Sequence, residues 1–122
     1  MKLIIASSRS LIIGPDGILM YLGYYFNTAE PIAEIVSGGA NGVDRDAEIA
    51  AQECLIPFKL FAADWETHGK AAGPIRNRQM AEYADALLLI WDGESRGSKN
   101  MKQEMLKLKK PVYEVILRSH NV

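Results

Sequence analysis

The segment Ser37-Gly38-Gly39-Ala40-Asn41-Gly42-Val43-Asp44 sets three glycines and a carboxylate between an apolar run, Ile32 to Val36, and an alanine-rich amphipathic stretch, Asp46 to Cys54. Glycine in a strand-to-helix turn lets backbone N–H groups come close to a ligand, with no Cβ in the way. The helix that follows offers unpaired N–H donors and partial positive charge at its start, which suits a phosphate or carboxylate. This is chemistry for a nucleotide-like ligand. The pattern is neither Gly-x-Gly-x-x-Gly nor a Walker A loop, since no Gly-Lys-Ser/Thr follows.

Other residues could share that work. Arg9, Arg76 and Arg96 carry guanidinium forks that can grip phosphate through two bonds, although each could instead be a solvated surface charge. Arg76 is the favoured clamp, because Gly73-Pro74 sets a turn and helix start just before it. Asn77 can read an amide or hydroxyl edge, or lie on a helix surface. Ser8 and Ser95 offer hydroxyls. Trp65, in a polar segment, is a candidate to stack on a base; Trp91 ends an apolar strand and suits core packing equally well.

Four carboxylates are candidates for catalysis. Asp44 or Glu48 could stabilise positive charge at a sugar, and Asp64 or Asp92 could activate water. Asp44 could instead cap a helix, and the loop aspartates could simply organise turns. His68 has the chemistry to titrate near neutral pH, though a solvated loop histidine is the plainer reading. With two histidines and one cysteine, the chain has no zinc-type cluster.

These residues must be positioned by regular elements. Apolar runs at Leu3–Ala6, Ile32–Ser37, Pro57–Phe61, Ala86–Trp91 and Pro111–Leu117 read as strands. Helices are expected from about Asp16 through Thr28, from a cap at Asn41 or Asp44 to about Cys54, from Ala71 or Pro74 to Tyr83, and from Ser98 through Lys109. Ala47, Ala50, Ala51 and Cys54 recur at helical spacing, which places Cys54 in the core. Met101, Met105 and Leu108 form the apolar stripe of the last helix, and Lys99, Lys102, Lys107, Lys109 and Lys110 its solvated face. Ala86 to Trp91 is uninterrupted, as a central parallel strand buried on both faces requires.

Strand–helix alternation with short connections predicts a three-layer α/β/α Rossmann-like fold around a mainly parallel, about five-stranded sheet. We expect a single domain over residues 1–117 and a loosely ordered tail at 118–122. Ligands of such sheets bind beyond the carboxyl ends of the strands. The segments that follow those ends are Ser7-Ser8-Arg9-Ser10, the glycine-rich turn, Asp64 to Asn77, and Asp92-Gly93-Glu94-Ser95-Arg96-Gly97-Ser98.

Composition narrows the classes. At 122 residues, with 48% hydrophobic and 24% charged side chains, the chain can bury a sizeable core. Fourteen Lys and Arg balance fifteen Asp and Glu, so a broad basic face for nucleic acid is not expected. No apolar run nears the ~18 residues of a membrane span, and the N-terminus lacks the ~7–15 apolar residues of a signal peptide. A single cysteine fits a reducing cytoplasm.

Taken together, Ser37 to Asp44, Asp64-Trp65, Gly69-Lys-Ala-Ala-Gly-Pro-Ile-Arg-Asn77 and Trp91-Asp-Gly-Glu-Ser-Arg-Gly97 closely resemble the YspA-like branch of the SLOG superfamily. That superfamily groups the DNA-processing protein Smf/DprA with LOG-type nucleotide hydrolases. The resemblance runs from Leu3 to Val115. It implies a Rossmann-like domain that binds a nucleotide or nucleotide-derived ligand, such as NAD or ADP-ribose, as a sensor or processing domain. The glycine turn and Arg76 would hold phosphate, and Trp65 would cover the base. A nucleotide-hydrolysing enzyme and, less favoured, a DNA-binding accessory are the alternatives, and pairing into a homo-oligomer is plausible for the fold. Two departures stand out. Ser7-Ser8-Arg9 replaces the usual Gly-Ser-Arg, and Ser37 to Asp44 lacks the hydrolases' Pro-Gly-Gly-x-Gly-Thr-x-x-Glu, so their catalytic machinery does not transfer intact.

Overall fold

The computed structural model describes residues 1–8, 11, 13–26, 31–39 and 43–117, without the side chains of Val43 and Asp44. Strand β1 (Lys2–Ser7) leads through α1 (Gly14–Tyr25) to β2 (Glu34–Ser37), then through α2 (Val43–Glu53) to β3 (Phe58–Leu60). A short helix α3 (Trp65–His68), a 3-10 turn (Gly69–Ala71) and α4 (Ala72–Tyr83) precede β4 (Ala86–Trp91). Helix α5 (Arg96–Lys107) and β5 (Val112–Ile116) close the fold.

All neighbouring strands are parallel, in the order β3-β2-β1-β4-β5. The chain winds outward from β1 to β3, then crosses back to β4, so β1 and β4 lie side by side with Ile4 opposite Leu87 and Ser7 opposite Ile90. The connections that leave these two strands diverge to opposite faces of the sheet. That reversal opens a crevice at their carboxyl ends.

Period-two alternation builds the layers. Leu3, Ile5, Ile35, Ala86, Leu88 and Ile90 point to one face, where Ile18 and Leu22 of α1 and Ala47, Ala50 and Ala51 of α2 cover them. Ile4, Val36, Leu87, Leu89 and Trp91 point to the other, against Met80 and Ala81 of α4 and Met101 and Met105 of α5. Both faces of the sheet are therefore dry, as the unbroken apolar run of β4 requires. The result is a three-layer α/β/α Rossmann-like fold.

The amino end of the sheet is braced by ordinary packing and polar contacts. Tyr83 donates its hydroxyl to the Glu34 carboxylate, and that bond pushes the phenol pKa up from 10.0. Its ring lies under two ammonium groups, Lys2 at 4.1 Å and Lys59 at 4.6 Å. Lys110 Nζ donates to the carbonyls of Ala81 (2.7 Å), Glu82 (3.2 Å) and Ala84 (2.7 Å), closing the carboxyl end of α4.

Four expectations need correction. The polar segment after β3 is not a plain loop: Asp64 accepts the Thr67 N–H at 3.1 Å and starts helix α3, a span too short for any apolar periodicity to reveal. Cys54 is exposed rather than in the core. Helix α2 stops at Glu53, and a left-handed Leu55 (φ 57°) lets Ile56 N–H reach back to the Ala51 carbonyl at 2.8 Å, a turn that carries Cys54 out of the helical stripe. Leu108 is likewise 45% exposed, because α5 ends at Lys107 in the same kind of turn around Lys109. The basic group is also not uniformly solvated: Lys102 pairs with Glu114 and Lys110 closes α4. The tail at 118–122 lies outside the described residues.

Candidate functional site

A cavity of about 970 Å³ opens at the carboxyl ends of β1, β2 and β4. That is at the upper end of the ~300–1,000 Å³ typical of small-molecule sites. Its floor is apolar, formed by Ile5, Met80 and Met101. Its rim is built from the segments that follow the strands, as an open parallel sheet dictates.

Ser8, Ser37, Gly38, Gly39, Trp65, Gly73, Arg76, Asn77, Asp92, Ser95 and Arg96 all line this cavity. Eleven residues spread over 89 positions of sequence thus converge on one space. The described residues bury four polar side chains, Ser8, Ser37, Asn77 and Ser98, and all four line it. Interior polarity is concentrated where a ligand would meet it. The Ser37 and Ser98 hydroxyls, 2% and 5% exposed, make no hydrogen bond with any described residue.

The wall from α4 is held by Arg76 and Asn77. Arg76 donates through Nη1 to the Gly38 carbonyl and through Nε to Asn77 Oδ1 at 3.0 Å. Asn77 Nδ2 in turn donates to the Gly97 carbonyl at 3.2 Å and to Asn100 Oδ1 at 2.9 Å. Asn77 therefore lies within the site but turns its amide toward the protein rather than reading a ligand edge. Gly38 permits this arrangement: a Cβ there would lie 2.9 Å from Arg76 Cζ.

The opposite wall is the start of α5. Asp92 Oδ1 accepts the N–H groups of Glu94 (2.8 Å) and Ser95 (2.9 Å), which shapes the turn after β4. Ser8 Oγ accepts the Asp92 N–H at 3.1 Å and joins that turn to the end of β1. Ser95 is the N-cap residue, yet its side chain makes no cap bond. The ladder of α5 begins with Lys99 N–H on the Ser95 carbonyl, so the N–H groups of Arg96, Gly97 and Ser98 have no partner among the described residues. Ser95, Arg96, Gly97 and Ser98 all line the cavity, which therefore faces the positive end of the helix dipole.

Charge follows the same sense. Among the described residues, Lys70, Arg76 and Arg96 line the cavity against one carboxylate, Asp92, in a chain whose net charge is −1. Trp65 stands at the mouth, 55% exposed, beside a glycine: a Cβ on Gly73 would meet the indole at 3.6 Å. Leu60, Ala62 and Ala63 continue this apolar side.

Several expected site residues lie elsewhere. Glu48 is exposed on α2 and does not reach the cavity, because α2 turns its alanines to the sheet on the other side. Asp64 caps α3; the Thr67 hydroxyl and N–H hold its carboxyl below the ordinary 3.8, and together with His68 it borders a separate small hollow. Gly93 (φ 86°) serves the turn after β4 without lining the cavity. Trp91 is 5% exposed; its indole N–H donates to Glu114 Oε2 at 2.6 Å, so it belongs to the core. Arg9, Ala40, Asn41, Gly42 and the side chain of Asp44 lie outside the described residues.

Lys70, Leu60 and Ser98 join the site without having been singled out. Ser98 was legible in principle, since a serine three places after a serine N-cap lies in the first helical turn. Among the described residues, no group of three or more His, Cys, Asp or Glu side chains is arranged to hold a metal ion, and no helix is long and apolar enough to cross a membrane.

No family model and no solved structure matches the chain. The Gene 61 protein of Mycobacterium phage D29 is 39% identical over 84 residues, an alignment that covers 64% of this chain and 67% of the phage protein. At that identity and coverage, the chain belongs to the same protein family as the Gene 61 protein of Mycobacterium phage D29.

Proposed function

We propose that this protein binds a nucleotide or nucleotide-derived anion, of the NAD or ADP-ribose kind, at the carboxyl rim of its sheet, as a sensor or processing domain. The observation that carries the reading is the uncapped first turn of α5, whose three N–H groups have no partner among the described residues, with the buried Ser98 hydroxyl bordering a cavity lined by three cationic side chains. Backbone donors and a helix dipole aimed at one point favour a phosphate, and the exposed Arg96 adds a charge beside them. Trp65 supplies an exposed aromatic face on the other side, suited to a base. The resemblance to the YspA-like SLOG branch supports the same ligand class.

This reading moves the phosphate away from the place expected from sequence. Arg76 is seated on the Gly38 carbonyl, so the first turn of α5 is assigned as the main anion site, with the Arg76 guanidinium as a second charge facing the same ligand. A hydrolytic reading has less behind it: Glu48 and Asp64 lie outside the cavity, and Asp92 Oδ1 already takes two N–H groups. A cytoplasmic location and pairing into a homo-oligomer go with the proposal. Calorimetric titration of the purified protein with ADP-ribose, NAD and AMP tests it. Binding of at least one is expected, and no heat from any of them, with the fold intact by circular dichroism, overturns it.

A further inference from the structure

We infer that Asn77 is a positioning residue that aims two separate elements of the site at one ligand; the inference rests on the anion-binding reading above. Asn77 is 5% exposed, and both donors of its amide and one lone pair of its oxygen end on named partners. Nδ2 donates to the Gly97 carbonyl and to Asn100 Oδ1, and Oδ1 accepts Arg76 Nε. The orientation is unambiguous: a carbonyl can only accept and a guanidinium can only donate, so the NH2 must face Gly97 and the oxygen must face Arg76.

The contact to Gly97 has a consequence at the next residue. The carbonyl of Gly97 and the N–H of Ser98 belong to one planar peptide and point in opposite directions. Holding the carbonyl from the α4 side therefore sets the direction of the Ser98 N–H at the cavity side of α5. The same amide fixes the rotation of the Arg76 guanidinium, which also rests on the Gly38 carbonyl. One buried side chain thus couples the glycine turn, α4 and the first turn of α5. Neither aspartate nor leucine can replace it: aspartate has no donor for Gly97, and leucine has neither donor nor acceptor.

The role is tested by a double-mutant cycle with ADP-ribose as the calorimetric probe, using wild type, Asn77→Leu, Arg76→Met and the double variant. Asn77→Leu should weaken binding about tenfold, the scale of one or two lost hydrogen bonds. In the Arg76→Met background the same change should cost clearly less, because the part acting through the guanidinium is already gone. Equal losses in both backgrounds, which a general loosening of the fold predicts, overturn the coupling. If Asn77→Leu does not fold, Asn77→Ser, whose hydroxyl is too short to reach these three partners, carries the same cycle and the same criterion. A wild type that does not bind ADP-ribose removes the ligand reading and this inference with it; wild-type binding with an additive cycle removes the inference alone.

Discussion

Arg76 donates to the carbonyl of Gly38 across 38 positions of sequence, and Gly38 has no Cβ because one would stand 2.9 Å from the guanidinium carbon. The pair joins the turn after β2 to the first turns of α4. It also separates two neighbouring glycines by what each does. Gly39 sits at φ 79°, where the backbone itself requires glycine, and an added Cβ would meet Leu60 at an ordinary 3.5 Å.

Alanine at these two positions should therefore act in opposite ways. Gly38→Ala displaces the flexible end of a side chain, so urea unfolding should change by less than about 1 kcal/mol, while ADP-ribose affinity falls about tenfold as Arg76 loses its seat. Gly39→Ala forces a left-handed alanine and should lower stability by roughly 1–2 kcal/mol. Matched denaturation and calorimetry on both variants check this. A Gly38→Ala protein that binds like wild type would show that the Arg76–Gly38 contact has no bearing on the ligand.

Lys110 closes the carboxyl end of α4 with three carbonyl contacts. Lys110→Met keeps the aliphatic stem but leaves those carbonyls without their cation. Unfolding free energy should drop by about 1–2 kcal/mol, the scale of charged hydrogen bonds at a helix end, with ligand affinity unchanged because the residue lies at the opposite end of the sheet. Urea titration monitored by circular dichroism reads the loss.

What the sequence made legible divides by the range of the interaction. The six strand residues Ala86–Trp91 were readable because an unbroken apolar run is itself the requirement of a central parallel strand. Convergence of Ser8, Ser37, Arg76 and Ser95 on one rim was readable from topology, since each lies at the carboxyl end of a strand or in the segment that leads on from one. The partners were not. Arg76 suggests an anion clamp until its bond to Gly38 is seen, and Asn77 suggests an edge reader until Gly97 and Asn100, 20 and 23 positions on, take its amide. Cys54 misled for a local reason: helical spacing continues on paper past the point where a left-handed Leu55 ends the helix.

Glu114 gives the fold an acid-sensitive joint. The Lys102 ammonium at 2.9 Å holds its carboxyl below the ordinary 4.5; burial opposes this less strongly, and the Trp91 indole N–H at 2.6 Å adds a further, smaller lowering. A carboxyl depressed in the folded state stabilises the fold above its unfolded pKa, and that contribution is lost as pH falls through the folded value. Stability should therefore decline below about pH 4.5 in part through this group. Glu114→Gln should flatten that part of the profile while leaving a lower plateau at neutral pH. Tryptophan fluorescence during urea unfolding at several pH values reads both effects.

The start of α5 allows one substitution to separate stability from binding. Ser95 has N-cap backbone angles (φ −58°, ψ 129°) but makes no side-chain cap bond, and it borders the cavity. Aspartate there can accept a first-turn N–H and place negative charge at the positive end of the helix dipole. Ser95→Asp should raise stability by about 0.3–1 kcal/mol. The same carboxylate competes for the donors assigned to the ligand and repels an anion a few ångströms away, so ADP-ribose affinity should fall at least about tenfold, with part of the loss relieved by salt. Denaturation and calorimetry on one preparation measure both. Opposite signs cannot arise from misfolding, which lowers both quantities together. A stabilised Ser95→Asp protein with undiminished affinity would mean that the ligand does not sit on α5, and the phosphate would have to be sought elsewhere on the rim.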